Sequence, residues 1–204
     1  MKNTLIITDV QHDFMPGGAL GVAGANEIIP VINELIPKFD HILATQDWHP
    51  RRHISFASTH NKQIGEKILV DGVEQILWPD HCIQNTHGAE LARGLHREKI
   101  AATLHKGTDL KIDSYSTFYD NARKRHTGLA KHLHKHDLKD LYFVGVATDY
   151  CVLYSVLDSL ELGFNTWVIQ DACRAINLNP GDEKRALEKM LAKGAQIIQS
   201  SEIR

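Results

Sequence analysis

Three side chains of the sequence could together make a nucleophile. Asp9, Lys106 and Cys151 supply a carboxylate, an ammonium and a thiol. An ammonium lowers the pKa of a neighbouring thiol, and a carboxylate can take the thiol proton and later pass it to a leaving group. The three residue types therefore predict covalent catalysis by a cysteine. Two alternatives stay open: Asp9 and Lys106 could form only a structural ion pair, and Cys151 could be a small buried hydrophobic residue.

A second set of residues has the ligand types of a divalent metal site. Asp47-x-His49 and His81 provide one carboxylate and two imidazoles. This set suits Zn(II), Fe(II) or Mn(II) and leaves coordination positions open for water or substrate. The Asp-x-His spacing alone is a weak signal, because it arises often by chance. Cys82 is a conceivable soft ligand. His53, four residues beyond His49, could be a fourth ligand, although we expect it to lie behind the ligands or at the surface.

The segment 141–163 must position Cys151. Residues 141–146 are apolar or small and predict a buried parallel strand, and the apolar residues that follow recur at helical spacing up to Gly163. Cys151 then lies where a strand turns into a helix. The free N–H groups and the positive dipole end of a helix favour a thiolate over a thiol at such a position.

Strands and helices alternate along the rest of the chain. Apolar runs predict strands near 5–8, 42–45, 100–104, 166–169 and 196–198, and helices are expected near 26–37, 89–95, 127–136 and 180–194. An Asp-Gly pair within residues 68–73 signals a hairpin turn. This alternation predicts an α/β fold with a parallel sheet that helices cover on both faces.

The predicted fold would gather the reactive residues. Asp9, Asp47, Lys106 and Cys151 each follow the end of a predicted strand. Ligands of open parallel sheets bind in the crevice outside the carboxyl ends of the strands. We therefore expect both sets of residues to share one crevice.

Composition limits the classes of function. The 204 residues carry a net charge of −2, contain no linker-like stretch and predict a single domain over residues 1–204 with a small-molecule partner, neither nucleic acid nor membrane. No apolar run approaches the roughly 20 residues that span a bilayer. Three cysteines without a C-x-x-C motif, and an N-terminus without a signal-peptide core, predict a cytoplasmic protein.

Six short motifs follow one another along the chain. They are Asp9-Val-Gln-x-Asp-Phe14, Gln46-Asp-Trp-His-Pro50, Trp78-Pro-x-His-Cys82, Lys106-Gly, Asp113-Ser-Tyr-Ser116 and Gly145-Val-Ala-Thr-Asp-Tyr-Cys151. In type and order they resemble the motifs of nicotinamidases, which are isochorismatase-like cysteine hydrolases, and the resemblance runs from Asp9 to about Asp171. The resemblance implies a three-layer α/β/α domain with a six-stranded, mostly parallel sheet.

The resemblance also implies roles for individual residues. The nucleophile would be Cys151, the proton-transfer residue Asp9 and its charged neighbour Lys106, and one divalent ion (Zn, Fe or Mn) would bind Asp47, His49 and His81. A cis peptide before Ala147 would direct the N–H groups of Ala147 and Cys151 into an oxyanion hole. Phe14 and Trp78 would sandwich a pyridine ring. His12 stands where related sequences often have Asn.

The implied activity is hydrolysis of nicotinamide, and also of pyrazinamide, to the acid and ammonia through a cysteine thioester, in NAD salvage. A homo-oligomer stays open. One alternative is another cysteine amidase of the same superfamily, although such relatives typically lack the two metal motifs. A second alternative is a metal-stabilised binding module without turnover, in which Cys151 would be inert.

Overall fold

A computed structural model describes residues 2–204 of the chain. Its regular elements alternate between strand and helix over most of that length. They are β1 (Asn3–Thr8), α1 (Ile28–Leu35), β2 (His41–Asp47), α2 (Ala57–His60), β3 (Lys67–Val70), β4 (Val73–Ile76), β5 (Ala102–Lys106), α3 (Leu129–Lys135), β6 (Asp140–Val146), α4 (Leu153–Glu161), β7 (Asn165–Arg174), α5 (Asp182–Ala192) and β8 (Gln196–Ile198).

Six of the strands form one parallel sheet in the order β5-β2-β1-β6-β7-β8. This confirms the predicted six-stranded parallel sheet. β3 and β4 form a separate antiparallel hairpin, as the Asp71-Gly72 pair predicts. Both turn residues have positive φ, 51° and 82°, which is the backbone that Asp-Gly adopts in a tight hairpin turn.

Helices cover both faces of the sheet. Leu5 and Ile7 of β1 pack into a core on one face, and the intervening Ile6 packs into a core on the other. α1 contributes to the first core, whereas α3, α4 and α5 contribute to the second. Because successive side chains of a strand point to opposite faces, a strand that is apolar throughout needs helices on both sides. The three-layer α/β/α architecture is therefore confirmed.

The predicted helix over 89–95 is wrong. Only a 3-10 turn, His87–Ala89, forms there, and the chain then runs alongside the loop that follows β1. The N–H of Ala92 donates to Val10 O at 2.8 Å, and Leu91 pairs with Gln11 in an antiparallel bridge. Pairing with a distant segment therefore replaces the local helix.

Other element boundaries also differ from those predicted. α1 begins at Ile28 and not near residue 26, and Pro37 lies in a following 3-10 turn, Ile36–Lys38. β7 continues to Arg174, since after a register shift it pairs with β6 again at Gly145↔Cys173 and Val146↔Arg174. None of the helices within residues 2–204 has the length and apolarity that a bilayer crossing requires.

Candidate active site

Four strands deliver the reactive residues to one edge of the sheet. Asp9 follows β1, Asp47 and Lys106 are the last residues of β2 and β5, and Cys151 lies in the turn after β6. β5, β2, β1 and β6 are consecutive neighbours in the sheet, and Asp47 is register partner to Lys106. All four side chains are buried. The carboxyl ends of the parallel strands therefore bring these residues together in one buried cluster.

The Lys106 ammonium lies at the centre of this cluster. Its Nζ is 2.8 Å from Asp9 Oδ2, 2.6 Å from Asp47 Oδ1 and 3.3 Å from Cys151 Sγ. It also donates to Ser114 O at 2.9 Å. An ammonium has three protons to donate and carries one charge. Lys106 thus contacts the thiol and both carboxylates at once.

The two carboxylate oxygens of Asp9 have different partners. Thr45 Oγ1 donates to Asp9 Oδ1 at 2.7 Å, whereas Oδ2 has the Lys106 ion pair but no aligned hydrogen-bond donor among residues 2–204. An Asp9 carboxylate oxygen lies within 4.8 Å of Cys151 Sγ. One carboxylate oxygen is therefore held by a hydroxyl, and the other is free to accept a proton.

The protonation state expected for Cys151 is wrong for the free protein. Cys151 lies in a π-helical turn, Thr148–Val152, that precedes α4. Burial raises the pKa of the Cys151 thiol well above its usual value, and the carboxylates of Asp9 and Asp47 raise it further, while Lys106 opposes them. The ammonium has the predicted effect, but burial outweighs it. Burial therefore favours the thiol form of Cys151.

Asp47, His49 and His81 present three ligand atoms to a common point. Asp47 Oδ2 is 3.8 Å from His49 Nε2 and 3.9 Å from His81 Nε2. The Nδ1 atoms of the two rings lie 2.9 Å from Gly107 O and 2.8 Å from Pro79 O. Since a carbonyl only accepts, both Nδ1 atoms carry the proton and both Nε2 lone pairs are free, as in histidines that bind metals.

The charges of the site also suit a divalent cation. Burial lowers the pKa of His49 and of His81, so both imidazoles are neutral. Burial raises the pKa of Asp47 to about 8, and the nearby Asp9 and Asp113 carboxylates add to it, against Lys106. The Asp9 and Asp47 carboxylates thus share one buried ammonium. A bound cation would offset the cost of keeping them ionised.

His53 lies behind His49 and not at the surface. Its ring is fully buried and stacks on that of His49 with centroids 4.2 Å apart. Its Nδ1 is 2.7 Å from Ser55 Oγ, while Nε2 has no hydrogen-bond partner within the described part of the chain. The surface alternative for His53 is therefore wrong. Cys82 is also buried, and it belongs to no cluster of three ligand groups among residues 2–204.

A cavity opens onto Cys151 and the three candidate ligands. Phe14 and Trp78 line it and are each 3% exposed. The Trp78 indole donates from Nε1 to the Tyr115 hydroxyl at 3.1 Å, and its ring meets that of Tyr150 edge-on at 4.9 Å. Two tyrosines thus fix the position of the Trp78 ring.

Five further residues line this cavity and received no role from the sequence. They are Leu20, Asp113, Tyr115, Tyr150 and Ile176. Asp113, Tyr115 and Tyr150 stand within the quoted motifs, which is a signal that could have identified them. Leu20 and Ile176 come from irregular segments, where no periodicity or motif marks them.

Ala147 lines the same cavity as Cys151. The peptide bond between Val146 and Ala147 is cis, as the resemblance implies. Tyr150 and Val152 donate their N–H groups to Ala147 O at 3.1 and 3.0 Å. The backbone from Ala147 to Val152 therefore folds back tightly beneath the cavity.

Comparison with known proteins extends over the whole chain. The isochorismatase domain model matches residues 3–202. A nicotinamidase from Acinetobacter baylyi is 47% identical over 98% of this chain and 93% of its own. A solved Acinetobacter baumanii nicotinamidase pyrazinamidase superposes with a TM-score of 0.97 at 44% identity, covering 100% of this chain and 98% of its own. A Pyrococcus horikoshii pyrazinamidase in complex with zinc gives 0.80 at 40% identity, covering 98% and 99%.

Proposed function

This chain belongs to the isochorismatase domain family, and we propose that it hydrolyses nicotinamide to nicotinate and ammonia, with pyrazinamide as a second substrate. The observation that carries the proposal is the contact of Lys106 with Asp9 and Cys151 beside an aromatic-lined cavity. Such a cavity takes a flat ring, and a thiol with a base at its side takes an acyl group. The activity belongs to NAD salvage in the cytoplasm.

The reaction begins with the Cys151 proton. Asp9 Oδ2 accepts it, and the sulfur lone pair attacks the carboxamide carbon, so that a C–S bond forms and the carbonyl electrons move to oxygen. Lys106 holds the negative charge on Asp9 before the transfer and on Cys151 Sγ after it. The raised pKa of the Cys151 thiol makes this base necessary.

The tetrahedral oxyanion is held by the backbone N–H groups of Ala147 and Cys151. Donors fixed in advance at such a position contribute about 3 kcal/mol each to the transition state. Asp9 returns its proton to the leaving nitrogen, and the C–N bond breaks to release ammonia. Asp9 then takes a proton from water, which attacks the thioester, so that nicotinate leaves and the Cys151 thiol is restored.

Asp47, His49 and His81 are the residues that would hold a divalent ion, zinc, iron or manganese. Their fit rests on the two free Nε2 lone pairs and the excess of buried carboxylates. The bound ion would supply a Lewis acid for the nitrogen of a pyridine or pyrazine ring. The chain's own residues position the rest of the substrate: Phe14 and Trp78 stack against the ring, and the carboxamide faces Cys151.

Steady-state ammonia release from nicotinamide, pyrazinamide and benzamide tests the proposal, with Cys151→Ala as the inactive control. We expect similar kcat/KM values for the two nitrogen heterocycles and a much lower value for benzamide, which has the ring but no ring nitrogen. Equal values for nicotinamide and benzamide would refute recognition of the ring nitrogen. No activity on any of these aromatic carboxamides, with turnover of another amide, would favour a different amidase of the superfamily.

A further inference from the structure

A second group of metal-ligand side chains lies outside the active site, on the protein surface. His12, His87 and Glu90 each offer a ligand atom, and these atoms all lie within 4.8 Å of one another. The two imidazole rings have centroids 4.0 Å apart. His87 Nδ1 is 3.2 Å from Glu90 Oε2. None of these side chains takes part in the proposed reaction.

We propose that His12, His87 and Glu90 form a second binding site for a divalent transition-metal ion such as Zn²⁺. Two imidazoles and one carboxylate are a ligand set that zinc accepts, with water completing the coordination sphere. This site differs from the proposed catalytic one in its exposure. The His87 and Glu90 side chains are 75% and 58% exposed, so the ion would exchange freely with solvent.

The backbone holds the three residues on one platform. His12 lies in the 3-10 turn His12–Phe14, and its N–H donates to Glu90 O at 3.0 Å. His87 begins the 3-10 turn His87–Ala89, which ends where Glu90 follows. The two turns pack closely against each other: a Cβ added to Gly88 would lie only 2.2 Å from Asp13 Oδ2. The ligands are thus brought together by packing, before any ion binds.

The separation of His87 and Glu90 suits a shared ion. Two ligand atoms each about 2.1 Å from a zinc ion, at an angle of about 100°, lie about 3.2 Å apart. The His87 Nδ1 to Glu90 Oε2 distance is 3.2 Å. A hydrogen bond between His87 and Glu90 would give the same distance. The presence of His12 beside this pair favours a metal site, since a hydrogen bond between the other two residues does not require a third ligand group.

His12 is available as a neutral ligand. Partial burial lowers the pKa of its imidazole, and the neighbouring His87 and Arg97 lower it further. Arg97 is the adjacent cation, but its guanidinium donates to the carbonyl oxygens of Leu91 and Ala92. Its charge is therefore partly engaged by the backbone. The Glu90 carboxylate remains to balance an incoming cation.

Equilibrium dialysis of the metal-loaded enzyme against Zn²⁺, followed by metal analysis, tests the site. The wild-type protein should bind one ion more than the variants His87→Ala, Glu90→Gln and His12→Asn. Each substitution should lower the affinity for this ion at least about tenfold. His132→Ala is the matched control, because His132 and His136 form another surface pair, with ring centroids 4.7 Å apart. The control should retain the extra ion.

Three results would overturn the proposal. The wild-type protein could bind no ion beyond the catalytic one, the extra ion could persist in His12→Asn or His87→Ala, or it could be lost only in the control. Because the comparison is between wild type and surface variants, it does not depend on the substrate assignment. Unchanged amide hydrolysis by His87→Ala without added Zn²⁺ would show that the variant is folded.

Discussion

Replacement of Gly107 by alanine should weaken metal binding although Gly107 is not itself a proposed ligand. Gly107 follows Lys106, has a φ of 61°, and accepts a hydrogen bond from His49 Nδ1 at 2.9 Å. A Cβ at this position would lie 2.4 Å from His49 Cε1 and 2.6 Å from His49 Nδ1. Since non-bonded carbon atoms pack at about 3.5–4.0 Å, the ring must move by about 1 Å.

The His49 ring has little room for that movement. It is 1% exposed, stacks on His53 and meets Phe56 and His81 edge-on, at centroid distances of 5.6 and 4.9 Å. A shift of the ring also strains the hydrogen bond to Gly107 O, which fixes the tautomer. Loss of such an outer contact costs about 10–100-fold in metal affinity, or about 1.4–2.8 kcal/mol. The left-handed backbone adds about 1–2 kcal/mol of instability.

Competition with a chromophoric chelator would measure the metal affinity of Gly107→Ala, and thermal unfolding would measure its stability. Gly72→Ala is the matched control, since Gly72 has a φ of 82° and an added Cβ there meets no described atom within 4 Å. The control should lose stability but keep its metal affinity. If Gly107→Ala binds the ion as tightly as the wild type, the assignment of His49 as a ligand, or the rigidity argued for its surroundings, is wrong.

Four further outcomes are expected. Cys151→Ala should abolish turnover, and a rapid acid quench of the wild type with a slow amide should show a thioester on Cys151 by mass spectrometry. Lys106→Met should lower the free energy of unfolding by about 3–5 kcal/mol in urea titrations, because the buried Asp9 and Asp47 lose their shared cation. Alkylation of Cys151 by iodoacetamide should be slow at pH 7, because the raised pKa of the Cys151 thiol leaves little thiolate. The alkylation rate should still rise about tenfold per pH unit above about pH 8.5, where the rate of an ordinary thiol levels off. His53→Ala should lower bound metal, measured by elemental analysis, much less than removal of a ligand does.

One property of parallel sheets allows the sequence to predict that the reactive side chains lie close together. All carboxyl ends of the strands lie at the same edge, so a polar residue after an apolar run is already assigned to that edge. Asp9, Asp47, Lys106 and Cys151 could be placed near each other on that ground alone. The order of β5, β2, β1 and β6 then makes them neighbours.

Other features depend on contacts between distant segments and could not be predicted locally. Residues 89–95 have helical periodicity, but their backbone forms hydrogen bonds and a β-bridge with Val10 and Gln11 in place of a helix. The burial of His53 likewise follows from its stacking on His49. Leu20 and Ile176 reach the cavity from irregular segments. These segments have no periodic pattern from which the position of a side chain could be predicted.

The protonation state of Cys151 shows what the residue types alone could not predict. Lys106 Nζ lies 2.8 Å from Asp9 Oδ2 and 3.3 Å from Cys151 Sγ. At an effective dielectric constant of about 20, a unit negative charge is attracted to this ammonium by about 6 kcal/mol at the first distance and about 5 kcal/mol at the second. When the proton moves from sulfur to carboxylate, the negative charge moves from Asp9 to Cys151. Its attraction to Lys106 then falls by only about 1 kcal/mol. The ammonium does not hold a thiolate in the free protein, where burial raises the thiol pKa. In the proposed mechanism it would keep an ion pair while the negative charge passes from Asp9 to Cys151.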